Sequence, residues 1–123
     1  MPIIRSSDRH SLEQVLLSAS EPVLLAFELD GCPPCRAIRP WLRSVSRRRQ
    51  VTVVALDLDL LRDLAAHLGV RMAPTLLLVE NTEIVGLREG ASCSSLLDRW
   101  LETALRQSRP KIQAGPPRRA EGP

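Results

Sequence analysis

Two cysteines separated by two prolines, Cys32-Pro33-Pro34-Cys35, are the feature that most constrains how this chain can fold. The motif follows an apolar run over residues 23–27 and opens a stretch with helical spacing, so we expect it where a buried strand turns into a helix. Such a turn brings the two thiols within disulfide reach, and proline suits a first helical turn because it has no N–H to leave unpaired. The first sulfur then lies beside the free N–H groups of the helix start, which stabilise a thiolate. A Cys-x-x-Cys pair in this setting predicts a redox dithiol.

Strand and helix patterns alternate along the rest of the chain. In order, they predict a very short strand at Ile3-Ile4, a helix with capping-box spacing at Ser11 and Gln14, a strand Val23–Leu29, a helix to about Arg47, a strand Val51–Asp59, a helix Leu60–Leu68, strands Thr75–Val79 and Glu83–Leu87, and a final helix capped by Ser92 or Ser95. Gly69 is the expected stop of the third helix, and Pro40 should kink the second. This alternation predicts an α/β fold in which helices cover both faces of a mixed sheet.

The distribution of charge indicates one nearly neutral domain and a basic tail. The formal net charge is +3 over 123 residues, and the residues from Arg106 onward account for +4 of it. A neutral body gives little electrostatic support for binding nucleic acid. We predict one domain over residues 1–107 and a disordered, basic tail rich in proline and glycine over residues 108–123.

The N-terminus has no basic segment followed by an apolar stretch, and no apolar run is long enough to cross a membrane. We therefore expect a cytoplasmic protein, and in a reducing compartment a Cys-x-x-Cys pair is more often catalytic or metal-binding than structural. A metal site needs about four ligands, and the other candidates, Cys93, His10 and His67, lack ligand spacing. The prediction is no metal within one chain, while a site shared across a dimer stays open.

The order of elements and the local motifs resemble the thioredoxin family over about residues 3–105. The matching positions are Phe27, Cys32, Pro34, Cys35, Pro40, Val53–Asp59, Gly69-Val70-Arg71, Ala73–Leu78 and Gly90. The resemblance implies the thioredoxin fold, a central mixed five-stranded sheet flanked by four helices. It also implies a cis peptide before Pro74, packed against the dithiol, and an exchange reaction in which Cys32 attacks and Cys35 resolves.

Several positions depart from the family pattern. Gly31 stands where the family usually has Trp, Pro33 where it has Gly, Ala26 where it has a buried Asp, Glu28 where it has an aromatic residue, and Thr82 where Gly is common. Proton transfer to the resolving cysteine therefore lacks its usual carboxylate. Glu28 and Asp30 are close enough in sequence to be considered as replacements.

The resulting prediction is an enzyme, a thioredoxin-like oxidoreductase that reduces or exchanges protein disulfides through Cys32 and Cys35. Its redox group is the disulfide of that pair, without a cofactor. The predicted substrate-binding residues are Gly31, Pro33, Pro34, Met72, Ala73, Pro74 and Gly90. The expected partners are protein disulfides and a reductase or other thiol donor, with no nucleic acid and no membrane, and the chain is expected to be a monomer. The alternative is a catalytically weak thioredoxin-fold module that binds a partner protein.

Two features stay open at this point. Cys93 is either an ordinary surface thiol or a regulatory one. Arg36, Arg39, Arg43 and Arg47 recur at intervals of three and four residues along the helix after the cysteines. They form either a solvated helix face or a surface that steers acidic partners.

Overall fold

A computed structural model describes residues 3–48 and 50–113 of the chain. The elements are β1 (Ile4–Ser6), α1 (Arg9–Ser18), β2 (Val23–Glu28), α2 (Pro33–Arg48), β3 (Thr52–Asp57), α3 (Arg62–His67), β4 (Thr75–Glu80), β5 (Glu83–Glu89) and α4 (Ser94–Gln113). Their type and order are those predicted from the sequence. No helix among the described residues is both long enough and apolar enough to cross a membrane.

The five strands form one mixed sheet in the order β1-β3-β2-β4-β5. β1 and β2 run parallel to β3, whereas β4 runs antiparallel to both β2 and β5. This confirms the predicted five-stranded mixed sheet flanked by four helices. The register places Thr75, the first residue of β4, opposite Phe27 near the end of β2. The loop before β4 and the loop after β2 therefore meet at one edge of the sheet.

Successive residues of β2 face two separate apolar layers, as the alternation of side chains along a strand requires. Leu24 and Ala26 pack in a cluster with α2 and α4, whose buried members include Ile38, Trp41, Leu42, Val45, Leu97 and Leu101. Leu25 and Phe27 pack in a second cluster with α1 and α3, whose buried members include Leu12, Leu61 and Ala65. Helices on both faces bury a core made almost entirely of aliphatic side chains.

Helix α1 begins earlier than the predicted cap at Ser11. Asp8 is its N-cap, and the carboxylate of Asp8 accepts hydrogen bonds from the Ser11 N–H at 2.8 Å and the Ser11 hydroxyl at 3.1 Å. These hydrogen bonds lower the pKa of Asp8. The predicted capping box was wrong because Ser11 is the donor at the third helical position, three residues after the residue that caps the helix.

Strand β3 ends two residues before the predicted Asp59 because Asp57 turns the chain. The Asp57 carboxylate accepts the N–H groups of Asp59 at 2.8 Å and Leu60 at 3.2 Å, a side-chain turn typical of Asp. Helix α3 is accordingly shorter than predicted and starts at Arg62. Gly69 follows the end of α3 with φ +86°, which confirms it as the stop.

Helix α4 differs from the prediction at its start. The carbonyl oxygen of Cys93 accepts the Leu97 N–H at 3.0 Å, so Cys93, and not Ser92 or Ser95, is the cap residue. The helix continues to Gln113, past the predicted domain boundary at residue 107. Residues 114–123 of the predicted tail lie outside the described residues, and its disorder stays a prediction.

Candidate active site

The two cysteines of the motif form a disulfide at the start of α2, with Cα atoms 5.2 Å apart. Cys32 is partly exposed, whereas Cys35 is completely buried. The pair is therefore asymmetric, because only one sulfur lies where a second molecule could reach it.

The hydrogen bonds of the first turn of α2 explain why the motif folds this way. The Cys32 carbonyl oxygen accepts the Arg36 N–H at 3.1 Å, which makes Cys32 the cap residue of the helix. Pro33 and Pro34 occupy the next two positions and carry no N–H. The Cys35 N–H donates to the Cys32 sulfur at 3.2 Å. The amide donors of this turn are thus satisfied, and the one at Cys35 points at the more exposed sulfur.

The loop before β4 lies at the same edge of the sheet and contains a cis peptide bond between Ala73 and Pro74. The Thr75 hydroxyl donates to the Met72 carbonyl oxygen at 2.6 Å, and the Gly90 N–H donates to the Pro74 carbonyl oxygen at 2.8 Å. These two hydrogen bonds tie the loop to itself and to the end of β5. The cis peptide implied by the resemblance is present.

The predicted substrate-binding residues differ in exposure. Gly31, Pro33, Pro34 and Met72 are exposed, Ala73 and Gly90 are half-buried, and Pro74 is buried. Gly31 and Gly90 have φ of +68° and +84°, a backbone region that favours glycine. Pro33, Pro34 and Met72 thus present apolar side chains to solvent, whereas the Pro74 side chain is buried. Their contact with substrate remains a proposal.

A partly buried ion pair beside the motif was not predicted from the sequence. Ala26, at the position of the family's Asp, is fully buried, and Glu28 lies two residues on along the same face of β2 and is 7% exposed. The Glu28 carboxylate lies 3.3 Å from the Arg39 guanidinium and 3.5 Å from that of Arg5. Arg39 is one helical turn after Cys35, so this pair connects β2 to the turn of α2 that follows the buried cysteine. The spacing of residues in the sequence does not predict this contact, because Glu28 belongs to β2 and Arg39 to α2.

The ion pair borders a cavity of about 250 Å³ at the ends of the three parallel strands. Arg5, Glu28, Asp30, Arg39 and Asp57 contribute to its lining. Glu28 has two cationic neighbours, Arg5 and Arg39. Asp30, in contrast, is exposed to solvent. A role for either carboxylate as the proton acceptor of Cys35 stays a prediction.

Cys93 is a free, exposed thiol at the cap position of α4. Its sulfur lies 3.4 Å from the Ser95 hydroxyl. That hydrogen bond, followed by one from the Leu96 N–H, lowers the pKa of the Cys93 thiol. The position at the surface is compatible with both interpretations of Cys93, an ordinary thiol or a regulatory one.

His10 and His67 are both exposed. Within residues 3–48 and 50–113, no three His, Cys, Asp or Glu side chains are grouped so that they could hold a metal ion.

The fold and the Cys32–Cys35 disulfide together assign the protein to the thiol–disulfide oxidoreductases. The sequence model of the family named Thioredoxin matches residues 4–103 of this chain. The chain therefore belongs to the thioredoxin family, and its function is the exchange of protein disulfides through the Cys32–Cys35 pair.

Individual relatives support this assignment over most of the chain. A thioredoxin of Pseudomonas aeruginosa is 35% identical over 97 residues, covering 77% of this chain and 90% of the relative. Thioredoxin C-2 of Corynebacterium nephridii is 31% identical, covering 81% and 94% respectively. The structure of a mutant thioredoxin from Halobacterium salinarum superimposes with a TM-score of 0.74 at 27% identity, covering 82% of this chain and 88% of that one.

Proposed function

We propose that the protein reduces disulfides of cytoplasmic proteins, with Cys32 as the attacking and Cys35 as the resolving residue. The observation that carries this assignment is the asymmetry of the pair, since Cys32 is partly exposed and Cys35 is fully buried. The Cys35 N–H donates a hydrogen bond to the Cys32 sulfur, which lies at the N-terminus of α2. A sulfur at a helix N-terminus is stabilised as a thiolate.

The reaction takes place in two exchanges. The Cys32 thiolate attacks one sulfur of the substrate disulfide, which forms a mixed disulfide and releases the other substrate sulfur as a thiolate. The Cys35 thiolate then attacks the Cys32 sulfur, which forms the Cys32–Cys35 disulfide and releases the second substrate thiolate. The substrate gains two electrons, and the released thiolates take up protons from solvent. A reductase or other dithiol donor returns the pair to the reduced state.

The border of the site supports binding of an extended segment of substrate. Pro33, Pro34 and Met72 offer exposed apolar surface at the border of the site. The loop Met72–Pro74 is fixed by the hydrogen bonds of Thr75 and Gly90. We propose that this loop, with Gly31, contacts the substrate backbone, which gives broad specificity. The protein acts as a monomer without a cofactor and contributes to electron transport and redox homeostasis in the cell.

Trapping of the mixed disulfide tests the roles of the two cysteines. Cys35→Ser removes the resolving thiolate and leaves Cys32 able to attack, so the tagged variant should hold proteins from cell extract that a reductant releases. Cys32→Ser is the matched control and should hold far fewer, because Cys35 is buried. Since Cys93 is exposed, both variants are made on a Cys93→Ser background. Equal trapping by the two variants would contradict the assigned roles.

A second assay shows whether the protein exchanges disulfides at all. The protein with all its cysteines should reduce insulin in the presence of dithiothreitol. Absence of both insulin reduction and trapping would favour a module that binds partners without exchange.

A further inference from the structure

The outer face of α2 carries a line of arginines that begins beside the dithiol. Arg36, Arg43 and Arg47 are exposed. Steps of seven and eleven residues from Arg36 bring the other two within about 20° of it around a helix of 3.6 residues per turn. The line extends for roughly 16 Å along the helix, at a rise of 1.5 Å per residue. The buried face of α2 lies on the opposite side, so all three guanidinium groups point to solvent.

None of these three arginines has an ion-pair partner within the described part of the chain. The other two described arginines of α2 do have partners: Arg39 pairs with Glu28 at 3.3 Å and Arg48 with Asp98 at 2.7 Å. The segment Pro33–Arg48 contains no acidic residue. The predicted stripe of four arginines therefore separates into one arginine paired with Glu28 and a line of three unpaired cations.

Local energetics favour only one of the three positions: Arg47 lies in the last turn of α2, at the negative end of the helix dipole, where a cation is stabilising. Arg36 lies in the first turn of α2, at the positive end of the helix dipole, where a cation is unfavourable. Arg43 and Arg47 are four residues apart, and like charges at that spacing repel. A solvated helix face normally intersperses charges of both signs. The position of Arg36 and the repulsion between Arg43 and Arg47 therefore lower the stability of the free helix slightly, and a partner of opposite charge would remove that cost.

We infer that Arg36, Arg43 and Arg47 form the docking surface for an acidic protein, one that carries carboxylates next to the disulfide or dithiol exchanging with Cys32. The inference rests on the proposed function. Guanidinium groups pair with carboxylates through two parallel hydrogen bonds, which suits arginine to this role. Attraction between the two surfaces accelerates encounter and weakens as salt screens it. The line starts at the residue after Cys35, so a partner held along it presents its redox centre to the exposed sulfur.

The test uses two synthetic peptides that each contain one disulfide and differ only in flanking residues, Glu in one and Gln in the other. The measured quantity is the second-order rate at which the reduced, full-length protein reduces each peptide. At low salt we expect the Glu peptide to react about tenfold faster, within the range that electrostatic steering provides. In roughly 0.5 M salt, where the screening length falls to a few ångströms, the two rates should converge.

Arg43→Glu should lower the ratio of the two rates several-fold at low salt, and Arg43→Gln should lower it less. Arg106→Glu is the matched control, because Arg106 is exposed, lies on α4 and undergoes the same change of charge; it should leave the ratio unchanged. Circular dichroism of each variant confirms that it is folded.

Equal rates for the two peptides at every salt concentration would overturn the inference, as would an equal loss of the ratio in Arg43→Glu and Arg106→Glu. A short DNA duplex that inhibits the wild type but not Arg43→Glu, with equal peptide rates, would assign the surface to nucleic acid instead. Failure of the proposed function has a different signature, because then neither peptide is reduced.

Discussion

Two cysteines cap helices in this protein, and their neighbours give them different surroundings. Cys32 precedes two prolines, so the amide that donates to its sulfur is the N–H of Cys35. Cys93 precedes residues that keep their N–H groups, and its sulfur interacts with the Ser95 hydroxyl and the Leu96 N–H. The pKa of the Cys93 thiol is lowered, first by the hydrogen bond with Ser95 and then by that with Leu96. The thiolate of Cys93 therefore persists to lower pH than that of an ordinary cysteine.

Removing the Ser95 hydroxyl should make Cys93 less acidic. In protein carrying Cys32→Ser and Cys35→Ser, the rate of alkylation of Cys93 by iodoacetamide should rise with pH, with a midpoint below that of a free cysteine. Ser95→Ala should move this midpoint to higher pH, whereas Ser44→Ala, on another helix, should not. An unchanged midpoint in Ser95→Ala would show that the backbone donors alone set the acidity of Cys93.

At the residue scale, sequence patterns identified what depends on near neighbours and missed what depends on contacts across the fold. The strand–helix junction at Cys32 follows from an apolar run, two prolines and helical spacing, all within a few residues. The pairing of Glu28 with Arg39 and the capping of α1 by Asp8 depend on side-chain geometry that spacing does not reveal. Several Ser and Asp residues near a helix start are equally plausible caps, and the structure is needed to choose among them.

At the element scale, hydrophobic periodicity was sufficient for the type and order of every strand and helix. The boundaries of the elements were less predictable, since they depend on which groups bond the free backbone N–H and C=O groups at each end, as the Asp57 carboxylate does after β3. Gly86 shows another limit. It lies in β5 where α4 crosses, and a Cβ placed there would lie 2.8 Å from the Ala104 Cβ and 3.2 Å from the Trp100 ring. No local sequence pattern predicts this close approach of α4 to β5.

Gly86→Ala should therefore destabilise the protein. The added methyl group forces β5 and α4 apart, and overpacking of this kind costs about 1–3 kcal/mol. The free energy of unfolding in urea provides the measurement. Ala104→Gly in the same chain removes the atom that the new methyl would meet, so the double variant should lose less than the sum of the two single changes. If the losses in the free energy of unfolding were strictly additive, the side chains at positions 86 and 104 would not be in steric conflict.

At the scale of the whole molecule, the strand order explains why the site is where it is. β2 lies at the centre of the sheet between a parallel neighbour, β3, and an antiparallel one, β4. The end of β2, which leads to Cys32, therefore lies beside the start of β4, which follows Pro74. Residues far apart in the chain share one edge because of this topology. Before the structure, this pairing followed only from resemblance to a family, since periodicity does not specify which strands are neighbours.

The C-terminal segment tests how much of the chain the folded domain requires. Among residues 94–107 of α4, whose side chains the structure describes, the buried positions are Leu97, Leu101 and Ala104. Residues 114–123 include three prolines and two glycines, a composition with little apolar surface to bury. Truncation after Gln113 should therefore leave both the melting temperature and the rate of insulin reduction unchanged.

Truncation after Gln107 removes the last helical residues as well, and we expect only a small decrease in the melting temperature, because the side chains that join α4 to the sheet remain. Truncation after Trp100 is the control, since it deletes Leu101 and Ala104 and should prevent stable folding. The melting temperature by circular dichroism distinguishes the three truncated chains. A drop of many degrees on removal of residues 114–123 alone would show that this segment docks on the domain, and the domain boundary would then have to be moved to include it.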